Sequence, residues 1–173
     1  MLGWNMTRFL SLIAVGALVL AACAPTTAPS TTGTSPQKVY RIRAAETSKI
    51  QFRMLDSVNS LRGASGLQQV TLNGQLNAAA STHSRDMSVQ NRPWHFGSDG
   101  SSPLDRVQRA GYVGVLIGEV ISETYESETE TLAAWMDEVG TREVLMDPRA
   151  AQMGFSWFQE SNGKIWWTLV LGE

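Results

Sequence analysis

The sequence predicts an α+β domain in which helices come first and an antiparallel hairpin comes last. Apolar residues recur at helical spacing through residues 46–110, whereas two strand-like runs, MGFSWFQE and KIWWTLVLGE, close the chain. These runs flank Ser161-Asn162-Gly163, and an Asn-Gly pair between two strands is a strong hairpin signal. Because helices and strands do not alternate, we do not expect a parallel βαβ sheet.

Three helices are predicted in the first half of the domain. The first covers residues 46–62 and is closed by Gly63 and Gly66, the second follows the capping residue Asn73, and the third runs over residues 103–110. Each is marked by apolar residues on one face: Met54, Leu55, Val58 and Leu61 in the first, Leu76, Ala79, Ala80, His83 and Met87 in the second, and Leu104, Val107 and Ala110 in the third.

The second half is predicted to hold a buried strand, VGVLIGEVIS, and a helix over residues 129–139. The acidic stretch 119–130 is expected to form a solvated loop and the start of that helix. In the last strand, the neighbours Trp166 and Trp167 must point to opposite sides. We therefore expect at most one of them in the core and some exposed aromatic surface.

The first 45 residues differ in character from the rest. Arg8 precedes the apolar run FLSLIAVGALVLAA, which is too short to span a bilayer and is typical of a signal peptide. The run ends in Leu20-Ala21-Ala22-Cys23, which resembles a bacterial lipobox; the alternative is an ordinary secretory signal that contains a cysteine. We expect a signal peptide at 1–22, acylated Cys23 with a Ser/Thr/Pro-rich tether at 23–45, and one domain at 46–173.

Composition excludes several classes of function. The chain carries 14 Lys and Arg against 16 Asp and Glu, a net charge of −2, without a clustered basic stripe, so nucleic acid is not an expected partner. No nucleotide-binding loop, CxxC pair or HExxH motif is present. Cys23 is the only cysteine, so no internal disulfide can form.

A set of short motifs in fixed order covers residues 46–173. They are Asn59-Ser60-Leu61-Arg62 before Gly66-Leu67, His83-Ser84-Arg85-Asp86-Met87, Trp94-His95 with Gly97-Ser98-Asp99-Gly100, Asp105-Arg106, Ala110-Gly111-Tyr112, Gly118-Glu119, Trp135-Met136, Asp147-Pro148 and Gly154. Together they resemble the bacterial branch of the CAP superfamily, the cysteine-rich secretory, antigen 5 and pathogenesis-related proteins, also called SCP domains.

The resemblance implies a three-layer α-β-α sandwich whose central cleft carries two histidines and acidic residues. His95 takes the place of the first histidine and Glu119 that of the first glutamate. The position of the second histidine is occupied by Thr141, and Glu138 stands where many eukaryotic members have a second glutamate. The asparagine that usually follows the first glutamate is replaced by Val120. The expected cleft residues are therefore His95, Glu119, Glu138 and Thr141.

The residue types in this cleft allow more than one chemistry. His95 with Glu119 could act as a general base, as a weak site for a divalent metal, or as a polar anchor for a ligand. A buried His–Glu hydrogen bond that only shapes the cleft is the simplest alternative. His83, on an otherwise apolar helix face, is expected to be a hydrogen-bonded packing residue. Three nearby serines could be nucleophiles but fit turns and helix caps better, namely Ser98, Ser101 and Ser102.

These observations favour a lipid-anchored envelope protein whose domain is a non-catalytic binding module for a lipid, an amphipathic small molecule or an envelope component. A metal-assisted hydrolase or peptidase using His95 and Glu119, with Glu138, is the first alternative. A structural interaction protein with a vestigial cleft is the second. The expected location is the bacterial cell envelope, on the periplasmic face of the outer membrane if the organism is Gram-negative, because Ala24 and not Asp follows Cys23.

The anchor can be tested directly by replacing Cys23 with serine. Serine lacks the thiol that accepts the diacylglycerol, so we expect the variant to leave the membrane fraction when cells are fractionated. A membrane-bound fraction equal to that of the wild type would refute acylation of Cys23.

Overall fold

The structure, a computed structural model, describes residues 40–173. The predicted signal peptide, Cys23 and the tether up to residue 39 lie outside the described residues. Nothing between residues 40 and 173 forms a helix with both the length and the apolar character needed to cross a membrane.

The predicted helices and strands are present in the predicted order. After a 3-10 turn at Ala44–Glu46, the elements are α1 Thr47–Ala64, β1 Thr71–Leu72, α2 Gly74–Gln90, α3 Pro103–Arg109, β2 Leu116–Glu123, α4 Glu128–Asp137, α5 Val139–Leu145, β3 Gln152–Gln159 and β4 Ile165–Gly172. The short strand β1 and the helix α5 were not predicted. Neither one carries a strong local signal, because β1 has only two residues and α5 only two turns.

Capping side chains fix the starts of the two helices that later form the site. The Asn73 side chain accepts hydrogen bonds from the backbone N–H groups of Gln75 and Leu76, which begins α2. Ser102 caps α3 in a reciprocal arrangement with Asp105, and Pro103 occupies its first turn. Both starts agree with the sequence prediction.

The strands form one sheet in the order β1-β3-β4-β2. β1 pairs parallel with β3, and all other pairs are antiparallel. One face is covered by α1, α4 and α5 around a core that includes Met54, Trp135, Phe155, Trp167 and Leu169. The other face is covered by α2 and α3 around Leu76, Ala79, Ala80, Val107 and Val170. The α+β class and the three layers are therefore confirmed.

Burial of both sheet faces overturns the expectation of an exposed tryptophan on β4. Trp166 and Trp167 do point to opposite faces, yet both are fully buried, because helices cover each face. Trp167 stacks on Phe155 at 5.6 Å and donates from its indole N–H to the Tyr125 carbonyl. Trp166 donates to the Glu160 carboxylate, so each indole N–H is satisfied inside the fold.

The acidic stretch 119–130 is also less solvated than expected. Residues 119–123 belong to strand β2, and Glu119 is buried there. Glu128, in the first turn of α4, is buried as well and pairs with Arg53 of α1 at 2.5 Å. The prediction of a solvated segment was wrong at these positions because it treated the carboxylates as unpaired.

Helix α2 lies unusually close to the sheet at Gly154 of β3. A Cβ atom at this position would lie 2.1 Å from the backbone carbon of Leu76 and 2.2 Å from the backbone nitrogen of Asn77. Only glycine permits this approach, because a side chain would push the helix backbone away from the strand. The close packing sets the depth at which the inner face of α2 meets the sheet.

Alanine at position 154 tests this close approach. The added methyl group must displace backbone, so we expect Gly154→Ala to lower the free energy of unfolding by about 3 kcal/mol, measured by chemical denaturation. Gly63→Ala is the matched control, because a Cβ there meets nothing within 4 Å, and it should be neutral or slightly stabilising. Equal stability of Gly154→Ala and the wild type would contradict this account of the packing.

Candidate functional site

The site is built around Glu119, whose side chain is buried beneath α2 and α3. The strand register places Glu119 opposite Val170 of β4. Arg106 of α3, itself buried, donates from Nη2 to both carboxylate oxygens, at 2.9 Å to Oε1 and 2.8 Å to Oε2. A carboxylate in a dry interior requires such a partner, because burial of an unpaired charge is very unfavourable.

Arg106 also fixes the loop that carries His95. Its Nη1 donates to the Ser101 carbonyl and its Nη2 to the His95 carbonyl, each at 3.0 Å. One guanidinium thus connects α3, the loop before it and strand β2. Sequence reasoning noted Arg106 only as part of a motif and gave it no role, although a buried Glu119 implied that some cation had to lie beside it.

The structure brings His95 and Glu119 together. The His95 ring donates from Nδ1 to Oε1 of Glu119 at 3.0 Å, and about half of the side chain is exposed. The carboxylate accepts the hydrogen bond from Nδ1–H, so in the neutral ring Nε2 carries the free lone pair. His95 is therefore the member of this cluster through which the solvent is reached.

His83 of α2 forms the floor of the same cluster. Its ring is fully buried, Nε2 donates to the Trp94 carbonyl at 2.9 Å, and Nε2 lies 3.6 Å from Oε1 of Glu119. The expected hydrogen-bonded packing role is confirmed, but its place beside Glu119 was missed. A polar ring on an apolar helix face needs a polar partner in the core, and this was the signal that could have located it.

The titration of the cluster follows from its burial and its fixed charge. Burial lowers the pKa of His83 more than Glu119 raises it, so the ring is neutral at neutral pH. Burial raises the pKa of Glu119, but the hydrogen bond from His95, the His83 ring and Arg106 together outweigh it, and the pKa lies below its ordinary value. Glu119 is therefore an anion that is already neutralised by Arg106.

The three candidate serines do not contact His95. The Ser98 hydroxyl donates to Oδ1 of Asp86 at 2.6 Å, and the Ser102 hydroxyl donates to Oδ2 of Asp105 at 2.7 Å. Ser101 is buried, and its backbone and side chain both bond to Asp99. Their interpretation as turn and cap residues is confirmed, and among residues 40–173 none of the three is held as a nucleophile beside an imidazole.

Glu138 and Thr141 lie at the junction of α4 and α5. Thr141 donates its hydroxyl to the Trp135 carbonyl at 2.5 Å and to the Glu138 carbonyl at 3.2 Å, which closes the turn between the two helices. The Glu138 side chain is exposed. Within the described part of the chain no hydrogen bond or ion pair joins either residue to His95 or Glu119, so their assignment to the cleft stays a prediction.

A divalent metal does not fit these residues. Between residues 40 and 173 no three His, Cys, Asp or Glu side chains are grouped so that they could hold an ion. Both oxygens of Glu119 are bound by Arg106, and a metal there would face the positive guanidinium. The side chain at position 141 offers a hydroxyl that is already donated to backbone carbonyls.

A groove lies beside the cluster, between α2, α3 and the loop before α3. Its volume is about 500 Å³, and Arg106 lines it from the side of the cluster. Its floor and walls include Ala78, Ala79, Thr82, Val89 and Ala110. The lining therefore combines small and apolar side chains with charged ones, namely Arg85, Asp86, Asp99, Arg106 and Arg109.

Comparison with known proteins identifies the family. Residues 55–171 match the cysteine-rich secretory protein family, CAP, over about two thirds of the chain. The chain belongs to the CAP family. It is 26% identical over 155 residues to YkwD of Bacillus subtilis (strain 168), a protein of uncharacterised function. The match covers 88% of this chain but only 56% of YkwD, so the chain spans a little over half the length of that relative.

Solved CAP structures share the fold at lower sequence identity. An outer surface protein of Borrelia burgdorferi superimposes with a TM-score of 0.66 at 15% identity, covering 73% of this chain and 94% of that protein. An extracellular protein of Bacillus anthracis with an SCP domain also gives 0.66, at 19% identity, covering 77% of this chain and 45% of that protein. At these identities the likeness concerns the fold alone.

A double-mutant cycle tests whether Arg106 and Glu119 stabilise the fold as a pair. Arg106→Met leaves a buried carboxylate unpaired, and we expect it to lower the free energy of unfolding by about 3–5 kcal/mol at neutral pH. Glu119→Gln leaves the buried cation unpaired and should also destabilise. The double variant should lose less than the sum of the two single losses.

The pH dependence provides a second readout of the same cycle. The depressed pKa of Glu119 contributes stability that is complete above the ordinary value of 4.5 and is lost as the pH falls through the folded-state value. Chemical denaturation of Glu119→Gln at several pH values should lack this loss. Strictly additive single losses in the cycle would contradict the pairing.

Proposed function

We propose that this CAP protein is a non-catalytic binding module of the bacterial envelope, anchored through acylated Cys23, and that it receives a lipid or a small amphipathic molecule in the groove between α2 and α3. The observation that carries the proposal is the groove itself, a concavity of about 500 Å³ whose lining includes the small or apolar side chains of Ala78, Ala79, Val89 and Ala110. That volume lies in the range of small-molecule sites in proteins.

The shape of the groove favours an elongated ligand. Residues 78, 79, 82, 85, 86 and 89 share one face of α2, so the lined stripe is about 16 Å long at 1.5 Å per residue. The short side chains of Ala78 and Ala79, with Ala110 across from them, leave room along this length. An extended acyl chain or a similarly narrow apolar group matches such a slot.

Most of the charged side chains that line the groove are bonded within the protein, which favours a ligand that is mostly apolar. Arg109 pairs with Asp99 at 2.6 Å, Arg106 with Glu119, and Asp86 accepts two hydrogen bonds from Ser98. Arg85, which also lines the groove, forms no ion pair in the described part of the chain, so it is available to an anionic group at one end of the ligand. The remaining exposed surface of Val89 and Thr82 suits an apolar chain with one polar end.

The chemistry of the cluster argues against catalysis. Arg106 neutralises Glu119, the pKa of Glu119 is low, and the serine hydroxyls are donated to aspartates, so a strong base or an activated nucleophile is not available beside His95. Location in the envelope rests on the lipobox-like Leu20–Cys23 segment.

Binding can be tested with a fluorescent fatty acid such as cis-parinaric acid. We expect saturable binding to the wild type and binding weakened about tenfold or more in Thr82→Trp, because an indole placed on the stripe fills the slot. Ser81→Trp is the matched control: it is exposed on the same turn of α2 but does not line the groove, so its affinity should equal that of the wild type.

Two outcomes would overturn the proposal. Unsaturable binding, or equal affinity in Thr82→Trp and Ser81→Trp, would exclude the groove as the site. Calorimetric titration with zinc tests the alternative of a metal-assisted hydrolase. That alternative requires heat of zinc binding in the wild type and its loss in His95→Ala. We expect no such heat, because the residues between 40 and 173 do not supply a third ligand.

A further inference from the structure

We propose that the aromatic loop of residues 92–96, together with Val89, docks on the surface of a phospholipid bilayer. The inference rests on the proposed anchor at Cys23. The docking surface adjoins the groove at Val89 and extends away from it. Its contact with the bilayer is separate from the anchoring of Cys23 by its acyl chain. The inference assigns to this end of the domain a direct contact with lipid headgroups.

The aromatic loop presents large apolar side chains to the solvent. Val89 is 74% exposed and Phe96 49% exposed. The Phe96 ring packs against the ring of Trp94, with 5.6 Å between centroids. Exposed aromatic and aliphatic groups of this kind gain free energy when they enter the interfacial layer of a bilayer, where tryptophan is enriched.

The loop is fastened to the last turn of α2, so its side chains are held in place before any contact. Trp94 donates its indole N–H to Oε1 of Gln90 at 2.6 Å. The amide group of the same Gln90 donates to the Phe96 carbonyl at 3.1 Å. A fixed aromatic pair loses little conformational freedom on docking, which favours binding.

Cations beside the aromatic rings match the phosphates of a bilayer surface. Arg92 lies over the Trp94 ring at 3.9 Å, and Arg85 lies over the Phe158 ring at 4.6 Å. Neither guanidinium forms an ion pair in the described part of the chain, in contrast to Arg106 and Arg109. Arginine binds phosphate through two parallel hydrogen bonds, so these free cations favour a phospholipid partner.

The chain enters the domain at the same end. The Tyr40 carbonyl accepts a hydrogen bond from Gln159 at 2.9 Å, and Arg41 binds the Glu160 carbonyl at 2.7 Å, both at the β3–β4 turn. On the other side of that turn, Lys164 binds Oδ1 of Asn91 at 3.3 Å, directly before the aromatic loop.

The segment between the proposed anchor and residue 40 limits the distance to the membrane. Seventeen residues, 23–39, could span at most about 60 Å. A chain attached at the β3–β4 turn therefore keeps the aromatic loop within reach of the bilayer in which Cys23 would sit. At the turn, Lys164 forms an ion pair with Glu123, which lowers the free charge at this end of the domain.

A second exposed apolar pair lies at the opposite end of the sheet and supplies the control. Val113 is fully exposed and Val115 is 57% exposed, just before strand β2 begins. The Val115 carbonyl accepts a hydrogen bond from Glu173, at the end of β4, whereas the β3–β4 turn lies at the start of β4. A bilayer bound by the aromatic loop should not contact these valines.

The test uses the protein from residue 23 onwards carrying Cys23→Ser, so that no acyl chain contributes. This protein is sedimented with vesicles of phosphatidylcholine, either pure or mixed with phosphatidylglycerol. We expect binding to both, stronger with phosphatidylglycerol because of Arg92 and Arg85. Val89→Ser with Phe96→Ser should weaken the vesicle partition coefficient about tenfold or more. Val113→Ser with Val115→Ser should leave it unchanged.

Quenching by brominated acyl chains identifies the inserted residue. Trp135, Trp166 and Trp167 are buried, and Trp157 is partly buried against the core on the face covered by α1, α4 and α5. We therefore expect the quenching of tryptophan emission to fall sharply in Trp94→Phe while sedimentation persists. Three results would overturn the inference. They are absence of vesicle binding, an equal loss of binding in Val89→Ser with Phe96→Ser and in Val113→Ser with Val115→Ser, and quenching that Trp94→Phe leaves unaltered. Acylation is measured separately, as covalently attached fatty acid that the wild type carries and Cys23→Ser lacks, because docking by itself would also keep part of the Cys23→Ser protein at the membrane. Failure of the groove appears with Thr82→Trp.

Discussion

Helix α2 lies directly against the backbone of β3 at Gly154, and the positions of most functional side chains depend on that contact. The inner face of α2 is pressed onto the sheet, so His83 enters the layer in which Glu119 lies. The outer face of the same helix becomes one wall of the groove. Its last turn holds the aromatic loop through Gln90. One helix therefore links the buried cluster, the groove and the proposed membrane-facing end.

The buried cluster keeps its polar side chains inside the fold by pairing their charges and hydrogen-bonding groups. Glu119 is held as an anion by Arg106, and His83 is held neutral by burial. Only His95 reaches solvent, and its proton donor is committed to Glu119. In the CAP family the corresponding cleft normally carries two histidines. Here Thr141 donates its hydroxyl to backbone carbonyls, so position 141 stabilises the α4–α5 turn.

The fold reaches its stability without any disulfide in the described residues, because the only cysteine of the chain is Cys23. Aromatic stacking of Phe155 with Trp167 fills one side of the sheet. Arg62 of α1 is fully buried and donates to four backbone carbonyls, those of Gln68, Leu145, Asp147 and Ala150. These bonds join the end of α1 to the segment between α5 and β3, more than 80 positions away in the sequence.

The sequence by itself determined the features that depend on local interactions. Asn73 and Ser102 cap their helices, and the Asn162-Gly163 turn joins β3 to β4, because each signal acts within a few residues. The family motifs placed His95 and Glu119 in one site. Only the tertiary structure decided the rest: that Arg106 neutralises Glu119, that His83 lies beneath it, and that Trp166 and Trp167 are both buried. Those outcomes depend on which elements cover each face of the sheet, and contacts between residues far apart in the chain leave no local pattern in the sequence.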